Sequence, residues 1–137
     1  MAFYRKSGKQ NVREIAKASG TTLAKGDAVK TNGSSANVTS ATSDAAWLGI
    51  CLDAGASAST ARLSIDILEP GVWIVGKVEA GTPTNGDWGK CDFNTLDGVT
   101  LTNANGDFLY QYVGEYDGAT YSVDLLPKRL ECTEDTG

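Results

Sequence analysis

The sequence predicts an all-β protein, a compact β-barrel or β-sandwich that follows an extended N-terminal arm. Three observations carry this. Short apolar runs, alternating or continuous, return at close intervals and imply roughly eight strands. The 16 Gly and 3 Pro are spread between those runs, where a β-rich fold needs its turns. Asn-Gly and Asp-Gly pairs, which readily supply positive φ, stand where hairpins should reverse.

A chain of 137 residues is most simply one domain with a modest core. Its 41% apolar content is ordinary for a globular protein. No stretch approaches the ~18–20 apolar residues of a membrane span. Met1-Ala2-Phe3-Tyr4-Arg5-Lys6 starts basic without an apolar segment behind it, so no signal peptide is expected. Cys51, Cys91 and Cys132 are widely spaced, and the chain has no histidine. Reduced thiols are therefore expected, with no disulfide framework and no zinc site. A chain made and kept in cytoplasm fits best.

Charge is unevenly placed. Residues 1–30 hold seven basic residues against Glu14 and Asp27, a net +5, while the remaining 107 carry −10. A basic arm on an acidic body can reach over an acidic neighbour. The expected division is an arm over residues 1–22, a barrel over 23–128 and an acidic tail over 129–137.

In the arm, Phe3 and Tyr4 form an aromatic anchor. Residues 12–18 could make two helical turns with Val12, Ile15 and Ala16 on one side, too few to stand alone. The arm is then loose, or ordered by a partner. Lys25-Gly26-Asp27 turns into a strand over 27–31, and the polar stretch 32–44 reads as a long loop or weak edge hairpin. Trp47 to Leu52 is apolar on both faces, as in a strand covered on both sides. Leu63, Ile65 and Ile67 alternate with Arg62, Ser64 and Asp66, a half-buried strand. After Glu69-Pro70-Gly71, Val72, Ile74 and Val78 share one face. Further strands are expected over 88–93, 98–101, 108–116 and 121–126, the last with Tyr121, Val123 and Leu125 inward. Gly20-Thr21 before Gly26-Asp27 echoes Gly81-Thr82 before Gly86-Asp87, and similar hairpin solutions account for the echo without duplication.

No constellation points to catalysis. Gly81 and Gly86 have the spacing of a phosphate-binding loop, but Asp87 stands where its lysine should. Without histidine there is no Ser-His or Cys-His pair. Asp66 with Glu69, and Asp92 with Asp97, read as solubilising charge. Asn103, Asn105 and Asp107 begin like a calcium loop that no acidic residue closes. No metal or cofactor is expected. Trp47 and Trp73 lie in core-like runs, whereas Trp88, Tyr110, Tyr112 and Tyr116 could present a subunit interface. A body of charge −10 argues against nucleic acid, which favours a basic groove.

The segments 23–29, 47–52, Val72-Trp73-Ile74-Val75 and the 80–87 reversal together resemble small capsid decoration (cement) proteins of tailed bacteriophages. The resemblance spans roughly residues 20–128. It implies a β-tulip-like barrel, a homo-oligomer with a trimer favoured, and a non-enzymatic role. Such a protein is synthesised in the host cytoplasm and sits in the virion on the outer capsid surface. There it would clamp adjacent major capsid subunits and stabilise the expanded shell. Phe3, Tyr4, Arg5, Lys6, Lys9 and Arg13 would form the capsid-binding arm. Another head or tail component, such as a tail-tube or neck protein, is the alternative. A carbohydrate-binding module with Trp88 and the tyrosines on one flat face is a more distant one.

Overall fold

The computed structural model describes residues 3–31, 37–41, 48–55, 61–69, 71–95, 98–101, 106 and 108–127. Every regular element among them is a strand. They are β1 (Tyr4–Arg5), β2 (Val12–Ala16), β3 (Ala28–Thr31), β4 (Val38–Ser40), β5 (Gly49–Cys51) and β6 (Arg62–Ile67). They continue with β7 (Ile74–Ala80), β8 (Trp88–Thr95), β9 (Gly98–Thr100), β10 (Phe108–Gln111) and β11 (Ser122–Pro127). The all-β expectation holds.

The strands form two sheets. In the second half of the chain the order is β7-β11-β10-β8-β9, and β9 pairs back onto β7 in parallel. That closes a five-stranded barrel, which leaves little open sheet edge. In the first half the order is β2-β6-β5-β3-β4. Its two ends meet at one parallel bridge, Lys17 with Val38. Numbered from its own first strand, each unit therefore follows the same path, first-fifth-fourth-second-third, with a parallel contact between first and third.

The equivalence extends to single hydrogen bonds. Gly26 and Gly86 both have φ near +90°, a conformation that glycine adopts without the Cβ penalty. The Asp27 carboxylate accepts from Ala24 N, and the Asp87 carboxylate accepts from Thr84 N, each at 2.8 Å. Gly26 N donates to Cys51 O and Cys51 N to Asp27 O; Gly86 N donates to Tyr112 O and Tyr112 N to Asp87 O. Equal registers follow: Ile50 pairs with Ala28 and Asp66, as Gln111 pairs with Trp88 and Asp124. The echo of Gly20-Thr21 and Gly26-Asp27 is thus not a coincidence of turns. It marks a five-stranded unit that occurs twice. A second echo supports it, Ser64-Ile65-Asp66-Ile67-Leu68, along β6 and the residue after it, against Ser122-Val123-Asp124-Leu125-Leu126 on β11.

Each unit has its own core, and the two differ in how they are completed. The first encloses Leu23, Val29, Val38, Cys51, Leu63 and Ile65. The second encloses Ile74, Cys91, Phe93, Val99, Phe108, Val123 and Leu125, and it also takes in Ala28, Ile50 and Leu68 from the first. Alternation explains this: Val29 and Cys51 face one side of their sheet, while Ala28 and Ile50 face the other. At Ala28 and Ile50 the outer side of the first unit is therefore buried against the second. The buried strand expected over 47–52 owes its two apolar faces to these two cores; Trp47 lies outside the described residues.

The N-terminal segment is extended, but it is not a free arm. Residues 12–18 form no helix; β2 runs antiparallel to β6 along five residue pairs, Val12–Asp66 to Ala16–Arg62. The open edge of β6 offered a ladder of backbone partners, which outweighs a two-turn helical pattern. β1 pairs with Ile74 and Val75 on the edge of β7 that β9 leaves free. Phe3 is 2% exposed and lies in the second core among Phe93 and Phe108, with ring centroids 5.9 and 6.0 Å away. Room for its ring is made at Gly76, where a Cβ would stand 2.7 Å from Phe3 and from Leu125. Burying such a ring stabilises a fold by about 1.5–3 kcal/mol, so an anchor expected to grip a partner holds the protein's own halves together.

Candidate interaction surface

Paired residues on neighbouring antiparallel strands share a face. Across the second unit the row Trp88, Gln111, Asp124, Val75 and Tyr4 lies on the outer face of β8, β10, β11, β7 and β1. Trp88 is 78% exposed, and Tyr4, Val113 and Tyr116 are also exposed. With Val12 on β2 they are the exposed large hydrophobic residues among those described. A face with this much apolar surface is the feature of the molecule that most calls for a partner.

Two open depressions lie in it. One, of about 460 Å3, is lined by Tyr4, Gly114, Glu115, Tyr116, Asp117 and Ser122. Tyr116 stacks on Tyr121 with centroids 4.4 Å apart, which holds its ring at the rim. Burial, together with the negative charges of Glu115 and Asp124, pushes the Tyr4 hydroxyl above its ordinary pKa. Asp117 is held below the carboxylate range because its carboxylate accepts from Thr120 N and Ala119 N. The other depression, of about 320 Å3, is lined by Lys6, Ser7, Trp73, Gln111 and Asp124. Lys6 and Asp124 form an ion pair there, with the Lys6 side chain 45% exposed.

The residues expected to bind a partner through the arm are divided by the structure. Phe3 is core. Arg5 is spent on the body: its guanidinium donates to both Asp66 carboxylate oxygens at 3.1 and 2.8 Å and to Ile67 O at 3.0 Å. The side chains of that pair are 5% and 1% exposed, and the bond to Asp66 raises the Arg5 pKa. Lys6 pairs with Asp124, leaving Lys9 and Arg13 exposed at the surface. Of the expected interface, Trp88 and Tyr116 are exposed, but Tyr110 is half-buried against the second core and Tyr112 is inside it. Burial raises the pKa of both. Tyr112 turns inward because its backbone is tied to Gly86 and Asp87, which sets its side of the sheet.

Other features were not visible in the residues alone. Asp66 and Glu69, expected to be solvated charge, converge on Arg5 and on Asn11. Lys17 is fully buried and donates from Nζ to Ala18 O at 2.8 Å. Cys51 and Cys91 are buried, and burial raises the Cys51 thiol. Cys132, Asp97 and the Asn103, Asn105 and Asp107 turn lie outside the described residues. Among the described residues no three metal-ligating side chains converge. No protein-family model matches the chain, and a search of curated proteins returns no match.

Proposed function

We propose that this protein is a non-enzymatic structural protein of a tailed-phage particle. It binds the outer surface of the capsid, clamps adjacent major capsid subunits and stabilises the expanded shell. The observation that carries the reading is the exposed apolar face, Tyr4, Trp88, Val113 and Tyr116, on a body with two buried cores. Such a body works by being held against another surface, and its stiffness keeps the entropy cost of docking low. In this reading the clamp is the outer face of the second unit, joined by the exposed Lys9 and Arg13, rather than a strand that orders on arrival.

The test is to mix the protein with expanded and unexpanded shells and measure what sediments with each. Binding confined to expanded shells supports the reading; binding to neither, or density at the tail in a virion map, refutes it. A second reading rests on the depression that pairs the faces of Tyr4 and Tyr116 with Glu115, Asp117 and Ser122. Aromatic faces beside hydrogen-bonding groups also suit carbohydrate. Consistent hits on a glycan array, lost in Tyr116→Ala, would favour it.

A further inference from the structure

The first unit shows what the outer row of this fold is used for. In its row Ala28, Ile50, Asp66 and Val12, Ala28 and Ile50 dock into the shared core and Arg5 is sealed over Asp66, while Val12 at the end of the row stays exposed. The same row on the second unit is Trp88, Gln111, Asp124 and Val75. No described residue covers it at Trp88 or Gln111, and Lys6 rather than a buried arginine meets the aspartate.

We propose that this row is the interface with a second copy of the chain, related by a two-fold axis lying along β10 over Gln111. Trp88 and the depression around Lys6, Trp73 and Asp124 stand on opposite sides of Gln111, each one strand or so away. The strand spacing puts them about 10 Å apart. A two-fold through Gln111 then lays Trp88 of each copy over the depression of the other. The contents suit an indole: the Lys6 ammonium can sit against its face, Trp73 offers an aromatic partner, and Gln111 offers an amide oxygen to its N–H. The contact is self-complementary, as a two-fold interface requires. It closes the Lys6–Asp124 pair from water as the first unit closes Arg5–Asp66. The pair takes Trp88 out of the face that the capsid reading uses and leaves that reading the Tyr4 and Tyr116 end; it forms from the protein alone, and it is a dimer where the resemblance implies a trimer.

Sedimentation equilibrium of the full chain is expected to give a concentration-dependent mass of two chains. In Trp88→Arg the dissociation constant should rise about thirtyfold or more, as for a central interface tryptophan, with the thermal midpoint unmoved. In a Cys132→Ser background, Gln111→Cys should cross-link to itself under mild oxidation, because the axis brings the two copies of that residue together. Adding Trp88→Arg should suppress the cross-link. Should Trp88→Arg fail to fold, Gln111→Arg tests the same contact. A monomer at every concentration, a mass of three chains, or a dimer indifferent to both arginine variants would overturn the proposal. A chain that dimerises but does not bind expanded shells would instead count against the capsid reading.

Discussion

Asp66 and Asp124 occupy the same position in the two units, paired with Ile50 and Val12 in one and with Gln111 and Val75 in the other, and each takes a cation from the N-terminal segment. Asp66 is sealed: Arg5 meets it with two hydrogen bonds, and both side chains are almost without solvent contact. Asp124 is buried too, but its partner Lys6 reaches it from the surface. The difference lies in what covers each. In the first unit the outer row is covered at Ala28 and Ile50 by the shared core and at Asp66 by Arg5, whereas in the second unit no described residue covers Trp88 or Gln111. One unit is thus a domain half, and the other presents the protein's outward face. One repeated sequence pattern has been put to two uses by its surroundings.

The largest effect expected from breaking this arrangement is at its hinge point, Phe3. Phe3→Ala should cost about 3–5 kcal/mol, the range for deleting a buried aromatic ring, measured by chemical denaturation. Removing residues 1–17 should abolish cooperative unfolding altogether, because it strips β1 from one sheet and β2 from the other. A truncated chain that folds as stably as the full one would show that the segment is only an attachment.

Next come the two aspartates. Asp66→Ala leaves Arg5 without its buried counter-charge and should cost about 3–5 kcal/mol. Asp124→Ala should cost about 1 kcal/mol or less, since Lys6 can turn into water. Equal losses would mean that the two pairs are sealed alike. Smaller still is the turn: Gly86→Ala forces an alanine to positive φ with nothing within 4 Å to clash. Backbone strain alone should cost it about 1–2 kcal/mol, read from the shift in denaturation midpoint.

The smallest effect is a dependence on acid. Asp117 has a folded pKa below its ordinary value because backbone N–H groups stabilise the carboxylate. The unfolded chain then binds the proton more readily than the folded one. Its contribution is complete above the ordinary carboxylate range and is lost as pH falls through the depressed value. Wild type and Asp117→Ala should differ in thermal midpoint at neutral pH and converge in acid; a constant difference would show that the ionised carboxylate is not what matters.

The strands of the second unit were largely legible, because alternation reports a sheet face directly. Val123 and Leu125 point into the core as their spacing implies, and Asp87 beside Gly86 closes a turn rather than a phosphate site. The N-terminal strands were not legible. Val12-Arg13-Glu14-Ile15-Ala16 has no period that separates helix from strand, and only the edge of β6, some fifty residues away, decides between them. The aromatic face was half legible for a related reason: Trp88 and Tyr112 are both aromatic residues next to polar ones, and hydrogen bonds to the 86–87 turn choose which of them faces water.

By itself the sequence determined the class of fold, the turns and the lack of a histidine-based site, because these follow from local φ preferences, short-range alternation and composition. It held traces of the duplication in the Gly-Asp turns and the two Ser-x-Asp strands, but local hairpin chemistry accounts for the turns until the two sheet paths are compared. Only the tertiary structure decided which copy would be enclosed and which would face outward. Burial is a property of what arrives on the other side of a strand, and for residues 1–17 and for the outer row at Trp88 that neighbour, or its absence among the described residues, lies far along the chain.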